Sequence, residues 1–147
     1  MRIYFDTNAV LDIFMRADRF SESFIAYDVS AVRGHEVFLS VSAMTDIAYV
    51  LLRNGVDKAS IRPTLAAISH LFDLISVTPT DYEMALKSPV EDFEDALIVS
   101  TAERNEIDLI ITRNLKDFEH SSVPAMTPSD FIESFSPPNY SYDVVEF

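Results

Sequence analysis

The chain has no cysteine among its 147 residues, which excludes disulfides, zinc–thiolate sites and cysteine nucleophiles. Glycine is nearly as scarce. Gly34 and Gly55 are the only two, too few for a glycine-rich loop around a nucleotide's phosphates. Basic residues are outnumbered, 11 against 24 acidic, giving a net charge of −13 at pH 7. That balance opposes general attraction to nucleic acid, which normally shows as a basic surface. It favours metal cations or a basic protein partner, with a merely well-solvated acidic surface as the plain alternative. Long apolar runs are missing too. No stretch approaches the roughly 18 residues of a membrane span. The opening MRIYFDTN lacks the extended apolar segment of a signal peptide. A cytoplasmic location is the expectation.

What is present is the material for a core. Hydrophobic residues make up 48% of the chain, with 11 Phe and 6 Tyr, enough for one domain with a substantial interior. Residues 3–5 read as a first strand ending at Asp6. A helix is expected over 8–15, with Val10, Leu11 and Phe14 at 3–4 spacing, and a second over 19–32. Beyond Gly34, EVFLS (36–40) reads as strand two. Ser42 is expected to cap a helix that ends near Asn54, with Gly55 just past its end. Further helices are expected over 58–72, 79–86, 91–105 and 127–135, and further strands over 74–77, 108–111 and 123–126, with a loop over 112–118. Short apolar strands separated by helices imply a mostly parallel sheet covered on both faces. In such sheets ligands sit beyond the carboxyl ends of the strands, at a switch in strand order.

That rule selects among the many acids. Asp6 follows strand one, Asp46 lies one turn into the helix after strand two, and Asp117 falls in the loop after strand four. The stretch EDFEDALIVS places Glu91, Asp92, Glu94 and Asp95 at the mouth of an otherwise apolar helix. One or two acids there need only the helix's free N–H groups and macrodipole, worth roughly 0.3–1 kcal/mol each. Four exceed that need, because like charges so close repel. Asp92 and Asp95, spaced i,i+3, are expected on one helix face. Carboxylates gathered without bases either take up protons or bind a cation. An all-oxygen set, with no metal-ligand spacing among His35, His70 and His120, suits Mg²⁺ or Mn²⁺. Such an ion orients a water, lowers its pKa and stabilises charge building on a phosphoryl oxygen.

Taken together, FDTNAVLDIF, SAMTDIAYVL and DFEDALIVSTAERNEIDLIITRNLKDF resemble the PIN domain, a family of metal-dependent ribonucleases that includes VapC-like toxins, across about residues 2–135. In this resemblance Asp6 is the first metal-binding acid, and Asp46 stands where the family usually carries Glu. Asp95 is the third acid, with Asp92 one turn earlier. Thr112-Arg113-Asn114 occupies a position that often reads Thr-Arg-Asp, and Asp117 supplies the missing carboxylate. The resemblance implies a three-layer α/β/α nuclease domain over 1–136 with a tail over 137–147. It implies a central parallel five-stranded sheet in order 3-2-1-4-5, Mg²⁺-dependent cleavage of RNA and a homodimer. In the toxin branch it also implies inhibition by an antitoxin that inserts a basic segment.

On this reading Asp6, Asp95 and Asp117 bind Mg²⁺ (or Mn²⁺) directly or through water, and Asp46 and Asp92 support them. Thr7 and Asn8 orient the first acid or hydrogen-bond phosphate, or else cap the first helix. Thr112 supports the metal's ligands. Asn114 keeps a hydrogen-bonding group without the charge. Arg113 and Lys116 contact RNA phosphates or pair with neighbouring acids. Phe20, Phe24 and Tyr27, at helical spacing, belong to the core or form a dimer or antitoxin surface. Two competing functions stand beside the nuclease. One is a catalytically weakened module of the same fold that binds RNA or protein. The other, a phospho-accepting receiver domain, is disfavoured. Strand one offers only Asp6, and Thr78-Pro79-Thr80 follows strand three where an acceptor Asp would be needed.

Overall fold

Ile3 and Phe5 face one side of the central strand and Tyr4 the other, and this alternation divides the interior in two. The computed structural model describes residues 1–15 and 21–142. In chain order its elements are β1 (Arg2–Phe5), α1 (Thr7–Met15), α2 (Ser21–Val32), β2 (Glu36–Ser40), α3 (Val41–Arg53), α4 (Lys58–Leu71), β3 (Asp73–Ile75), α5 (Pro79–Ala85), α6 (Phe93–Arg104), β4 (Leu109–Ile111), a 3₁₀ turn (Leu115–Phe118), β5 (Ala125–Met126) and α7 (Pro128–Phe135). The strands form one all-parallel sheet in the order β3-β2-β1-β4-β5, as the resemblance implies. Ile3 is in register with Val37 on one side and Leu109 on the other. The chain builds outward from β1 to β3 and then crosses to β4 on the opposite side. The switch in strand order therefore falls between β1 and β4.

One core packs Ile3, Phe5, Leu39 and Ile111 against apolar faces of α1, α2, α3, α4 and α7, for example Val10, Val29, Ile47, Ile68 and Phe131. The other packs Tyr4, Phe38, Ile75 and Ile110 against α5 and α6 through Ala85, Ala96, Val99 and Ala102. Both faces are thus covered, and the strands need no polar residues until their ends. Two of the helix ends use glycine for a left-handed turn. Gly34 (φ +71) follows α2, and Gly55 (φ +86) follows α3. After α3 the Gly55 N–H bonds the Leu52 carbonyl and the Val56 N–H bonds that of Leu51, which closes the helix and tucks Val56 onto the core.

Several boundaries differ from the sequence expectation. Ser40, not Ser42, caps α3, its hydroxyl accepting from the Ser42 N–H at 3.2 Å. The strand passes into the helix without an intervening loop, so the cap is the last strand residue. Helix α6 starts at Phe93 rather than 91, and β3, β4 and β5 are shorter than expected. β3 stops where its ladder partner stops, Ile75 pairing with Ser40, the last residue of β2, whereas β4 and β5 start later than expected, at Leu109 and Ala125. Tyr27 belongs to the core, its ring 5.2 Å from that of Phe72 and 6.3 Å from that of Phe5. Phe24 is exposed and meets Tyr142 from the tail. Phe20 and the expected start of the second helix at 19 lie outside the described residues. The described tail lies on α2, where the Tyr140 hydroxyl donates to Asp28 at 2.5 Å. Among the described residues no helix is long and apolar enough to cross a membrane.

Candidate functional site

Asp6 directly follows β1 at the strand-order switch and is 7% exposed. Its backbone N–H continues the ladder to the Ile111 carbonyl at 2.8 Å, which aims the side chain past the sheet edge. The carboxylate accepts from the Thr7 N–H at 2.8 Å, from Asn8 Nδ2 at 3.1 Å and from Thr112 Oγ1 at 2.8 Å. Thr112 in turn accepts from the Asn114 N–H, and Asn8 accepts from the Arg113 N–H. Thr7, Asn8, Thr112 and Asn114 therefore form one network that ties the end of β1 to the end of β4. Within it, Thr7 gives only its backbone to Asp6, and its hydroxyl is buried with no partner. Burial raises the Asp6 carboxyl above the ordinary range and the charge of Asp117 adds to this, against the hydrogen bonds from Thr112, Thr7 and Asn8.

The first turn of α6 supplies the next acids. Asp92 is the N-cap and accepts from the Asp95 N–H at 3.1 Å. It precedes the helix, so the expected i,i+3 face is instead a capping hydrogen bond, and the side chain is exposed. Asp95 is half-buried. Burial first, then the charges of Asp6, Asp92, Asp117 and Glu94, push its carboxyl up to about 7. Asp117 enters from the exposed 3₁₀ turn after β4, its N–H bonded to the Asn114 carbonyl. Asp46 stands on the exposed side of α3 and faces Glu94.

Glu94 is the residue that sequence reasoning left out. Its carboxyl is raised by burial, then by Asp46, Asp92 and Asp6, and it lines one small pocket with Asp46. The only signal was its membership of the acidic run, and i,i+3 spacing selected Asp92 and Asp95 instead. The basic candidates divide. Arg113 makes an ion pair with buried Asp12 at 2.8 Å, and Ser23 Oγ donates to the same carboxylate at 2.9 Å. Of the two alternatives for Arg113, this is pairing with an acid. Lys116 lines an open hollow of ≈ 330 Å³ with Asp92, Asp117, Glu119 and His120.

The charge of Asp117 thus acts on Asp6, and the charges of both act on Asp95. Among the described residues no group of three acidic, histidine or cysteine side chains stands close enough to hold a metal ion as placed. The donor chemistry still fits a hard cation. All the donors are oxygens, the charges acting most strongly on Asp95 are all acids, and an unpartnered Thr7 hydroxyl is buried beside Asp6. These side chains can concentrate negative potential at the carboxyl edge of the sheet and neutralise a divalent ion entering there.

A family model described as PIN domain matches residues 2–116. No curated protein sequence matches significantly. Among solved structures, a toxin–antitoxin complex from Klebsiella pneumoniae is 22% identical, with a TM-score of 0.58 over 86% of this chain and 97% of that one. VapBC2 from Rickettsia felis, bound to a DNA fragment from its promoter, is 16% identical with a TM-score of 0.66, covering 86% and 98%. FitAB bound to a DNA fragment is 15% identical with a TM-score of 0.66, covering 86% and 94%. At these identities the likeness is one of fold, and it agrees with the sheet order. With the family model spanning most of the sequence and the sheet in the order β3-β2-β1-β4-β5, the chain belongs to the PIN domain family.

Proposed function

We propose that this chain is a Mg²⁺-dependent endoribonuclease that hydrolyses RNA phosphodiester bonds as the toxin of a toxin–antitoxin pair. The observation that supports the reading is that β1, α6 and the turn after β4 bring Asp6, Asp95 and Asp117 to the carboxyl edge of the sheet, where the charges of Asp6 and Asp117 help to raise the Asp95 carboxyl. Asp6, Asp95 and Asp117 would hold Mg²⁺ (or Mn²⁺), with Asp92 and Asp46 in support. When bound, the ion supplies positive charge for the phosphate and acidifies a water. The Thr7 N–H, Asn8 and Thr112 fix the orientation of the Asp6 carboxylate. A carboxylate of the cluster accepts the proton of the attacking water. In-line attack would form a new P–O bond from the water and break the P–O3′ bond, and the departing O3′ would take a proton from solvent, leaving a 5′-phosphate and a 3′-hydroxyl.

With a net charge of −13, RNA affinity has to be local, through the bound cation, Lys116 and hydrogen bonds from Asn8 or Asn114. The same acidity suits an antitoxin whose basic segment enters this edge. The solved relatives include toxin–antitoxin complexes, which supports that partner. A homodimer and a cytoplasmic setting complete the proposal.

A second reading, a catalytically weakened RNA- or protein-binding module, is favoured by one observation. Among the described residues no three acids stand in chelating range, and the loop carries neutral Asn114. One assay separates the two. Purified protein is incubated with a structured RNA and Mg²⁺, with and without EDTA, beside an Asp6→Asn variant. The nuclease reading expects metal-dependent cleavage that falls by at least about 100-fold in Asp6→Asn, at an unchanged fold by circular dichroism. Wild-type protein inert with both Mg²⁺ and Mn²⁺ would leave the module reading standing.

A further inference from the structure

Asn8 and Asp12 stand four residues apart on α1, so they share one helix face. Arg113 grips both. Its backbone N–H donates to Asn8 Oδ1 at 3.2 Å, and its side-chain Nε reaches Asp12 Oδ2 at 2.8 Å. Asp12 is 7% exposed, and Ser23 Oγ from α2 donates to the same oxygen at 2.9 Å. A buried carboxylate is costly unless donors and a cation meet it, so the guanidinium is drawn to this spot and the backbone of Arg113 comes with it. Burial does not hold the segment in its place: residues 113–117 are exposed, and Phe118 is the first to re-enter the core.

What the grip fixes is the surroundings of Asp6. Asn8, held at Oδ1 by Arg113, donates from Nδ2 to Asp6 Oδ2 at 3.1 Å. Thr112, the residue before Arg113, is 0% exposed. It bonds the Met126 carbonyl through its N–H and donates from Oγ1 to the same Asp6 oxygen at 2.8 Å. After Arg113, the Asn114 N–H returns to Thr112 Oγ1 at 3.1 Å, and the Asp117 N–H bonds the Asn114 carbonyl at 3.1 Å. A continuous path of bonds thus runs from Asp12 through Arg113 to Asp6 on one side and to the turn bearing Asp117 on the other. We infer that the Asp12–Arg113 pair is a clamp and Arg113 a positioning residue of the nuclease centre: its side chain serves α1 rather than RNA, and it sets the direction of the Asp6 carboxylate and the place of the turn that carries Asp117. This deepens, and rests on, the nuclease reading proposed above.

The test compares wild type with Asp12→Asn, Arg113→Gln and the double variant. Arg113→Gln leaves the buried Asp12 carboxylate without this guanidinium and so endangers the fold, whereas the double variant removes both charges. Steady-state RNA cleavage with Mg²⁺ is read beside amide hydrogen exchange by NMR in the cation-free protein. Asp12→Asn should lower kcat by about 10-fold or more with KM within about twofold of wild type, although buried Asp12 would not meet the RNA. Loss of a phosphate contact would instead raise KM. The double variant should be no worse than the worse single variant, because both changes break one clamp. In all three variants the Arg113 and Asn114 amides should exchange faster, by about 10-fold or more relative to that of Ile110, whose bond to the Pro124 carbonyl lies in the sheet. Loop amides that keep their wild-type protection overturn the inference, as does a raised KM at unchanged kcat or a double variant whose losses multiply. If wild type cleaves no RNA with Mg²⁺ or Mn²⁺, the nuclease reading fails and this inference with it. A cleaving wild type whose Asp12→Asn variant keeps kcat within about twofold rejects the inference alone.

Discussion

Asp81 and Asp95 occupy the same place in two neighbouring helices, three residues beyond an N-cap, and are held by their caps in similar ways. Thr78 accepts from the Asp81 N–H and Asp92 from the Asp95 N–H. Their electrostatics are opposite. Asp81 is 1% exposed, and Arg104 reaches it with two nitrogens at 2.8 and 2.9 Å while also bonding the Ser76 carbonyl. Burial pushes the Asp81 carboxyl up, but the bonds from Arg104 and Thr78 outweigh it, and the net shift is below the ordinary range. Asp95 meets other carboxylates and is pushed up to about 7. One helix, α6, supplies both Asp95 at its start and Arg104 at its end. The molecule therefore has bases with which to neutralise buried acids and uses them at Asp81 and at Asp12. At Asp6 and Asp95 it leaves the repulsion in place. On the proposed function, the unpaired acids are where a cation would bind, whereas the paired acids hold the fold.

Breaking the paired site should cost the most stability. Asp81→Ala removes the ion pair and one half of the α5 capping box together, and the expected loss is roughly 2–4 kcal/mol, read from urea unfolding. RNA cleavage at a temperature where the variant is folded should be unaffected. At the unpaired site the sign reverses. Asp95→Asn in cation-free buffer should raise the unfolding midpoint by a few degrees, about the effect of 1 kcal/mol in a chain of this size, and should abolish the stabilisation that Mg²⁺ gives wild type. A lower midpoint in Asp95→Asn would remove the contrast.

Titration sharpens the same comparison. The folded-state value of Asp95 is raised from 3.8 to about 7. Over that window the folded chain holds a proton that the unfolded chain has released. The stability from this site is therefore full below 3.8 and is lost as pH climbs through about 7. Asp6 is shifted in the same direction. Asp81 behaves in the opposite sense: its contribution is present above 3.8 and is lost as pH falls through its depressed folded value. Without divalent ions, the unfolding midpoint should decline as pH rises toward 7. Saturating Mg²⁺ should flatten that decline, and Asp95→Asn should remove most of it. A midpoint in the wild-type, ion-free protein that rises over this window would contradict the assignment.

The sheet was legible because its strands are short apolar runs separated by segments with helical spacing. The strand order came from the family resemblance, and the structure agrees with it. Asp6 was legible because a strand end at a parallel sheet's carboxyl edge is a place where ligands bind. Ser40 was missed as a cap because EVFLS runs directly into α3, so strand and cap share a residue. Asp92 was misplaced for a related reason: helical spacing shows which residues align and not which one precedes the first turn. The Arg104–Asp81 pair spans 23 residues and has no periodic trace in the sequence. Asp12–Arg113 is hidden for the same reason. Glu94 looked like one more capping charge, and only its approach to Asp46 across two helices sets it apart. Apart from these two helix starts, what escaped the sequence was contact between side chains on different elements, which composition and spacing do not encode.

The central claim is that Asp6 and Asp95 share a divalent cation. Crystals soaked in Mn²⁺ and measured at its absorption edge test this directly. The account predicts an anomalous peak bonded to the Asp6 carboxylate and bonded, directly or through one water, to that of Asp95. A fully soaked crystal with no peak there, or with Mn²⁺ bound only elsewhere on the acidic surface, would contradict it.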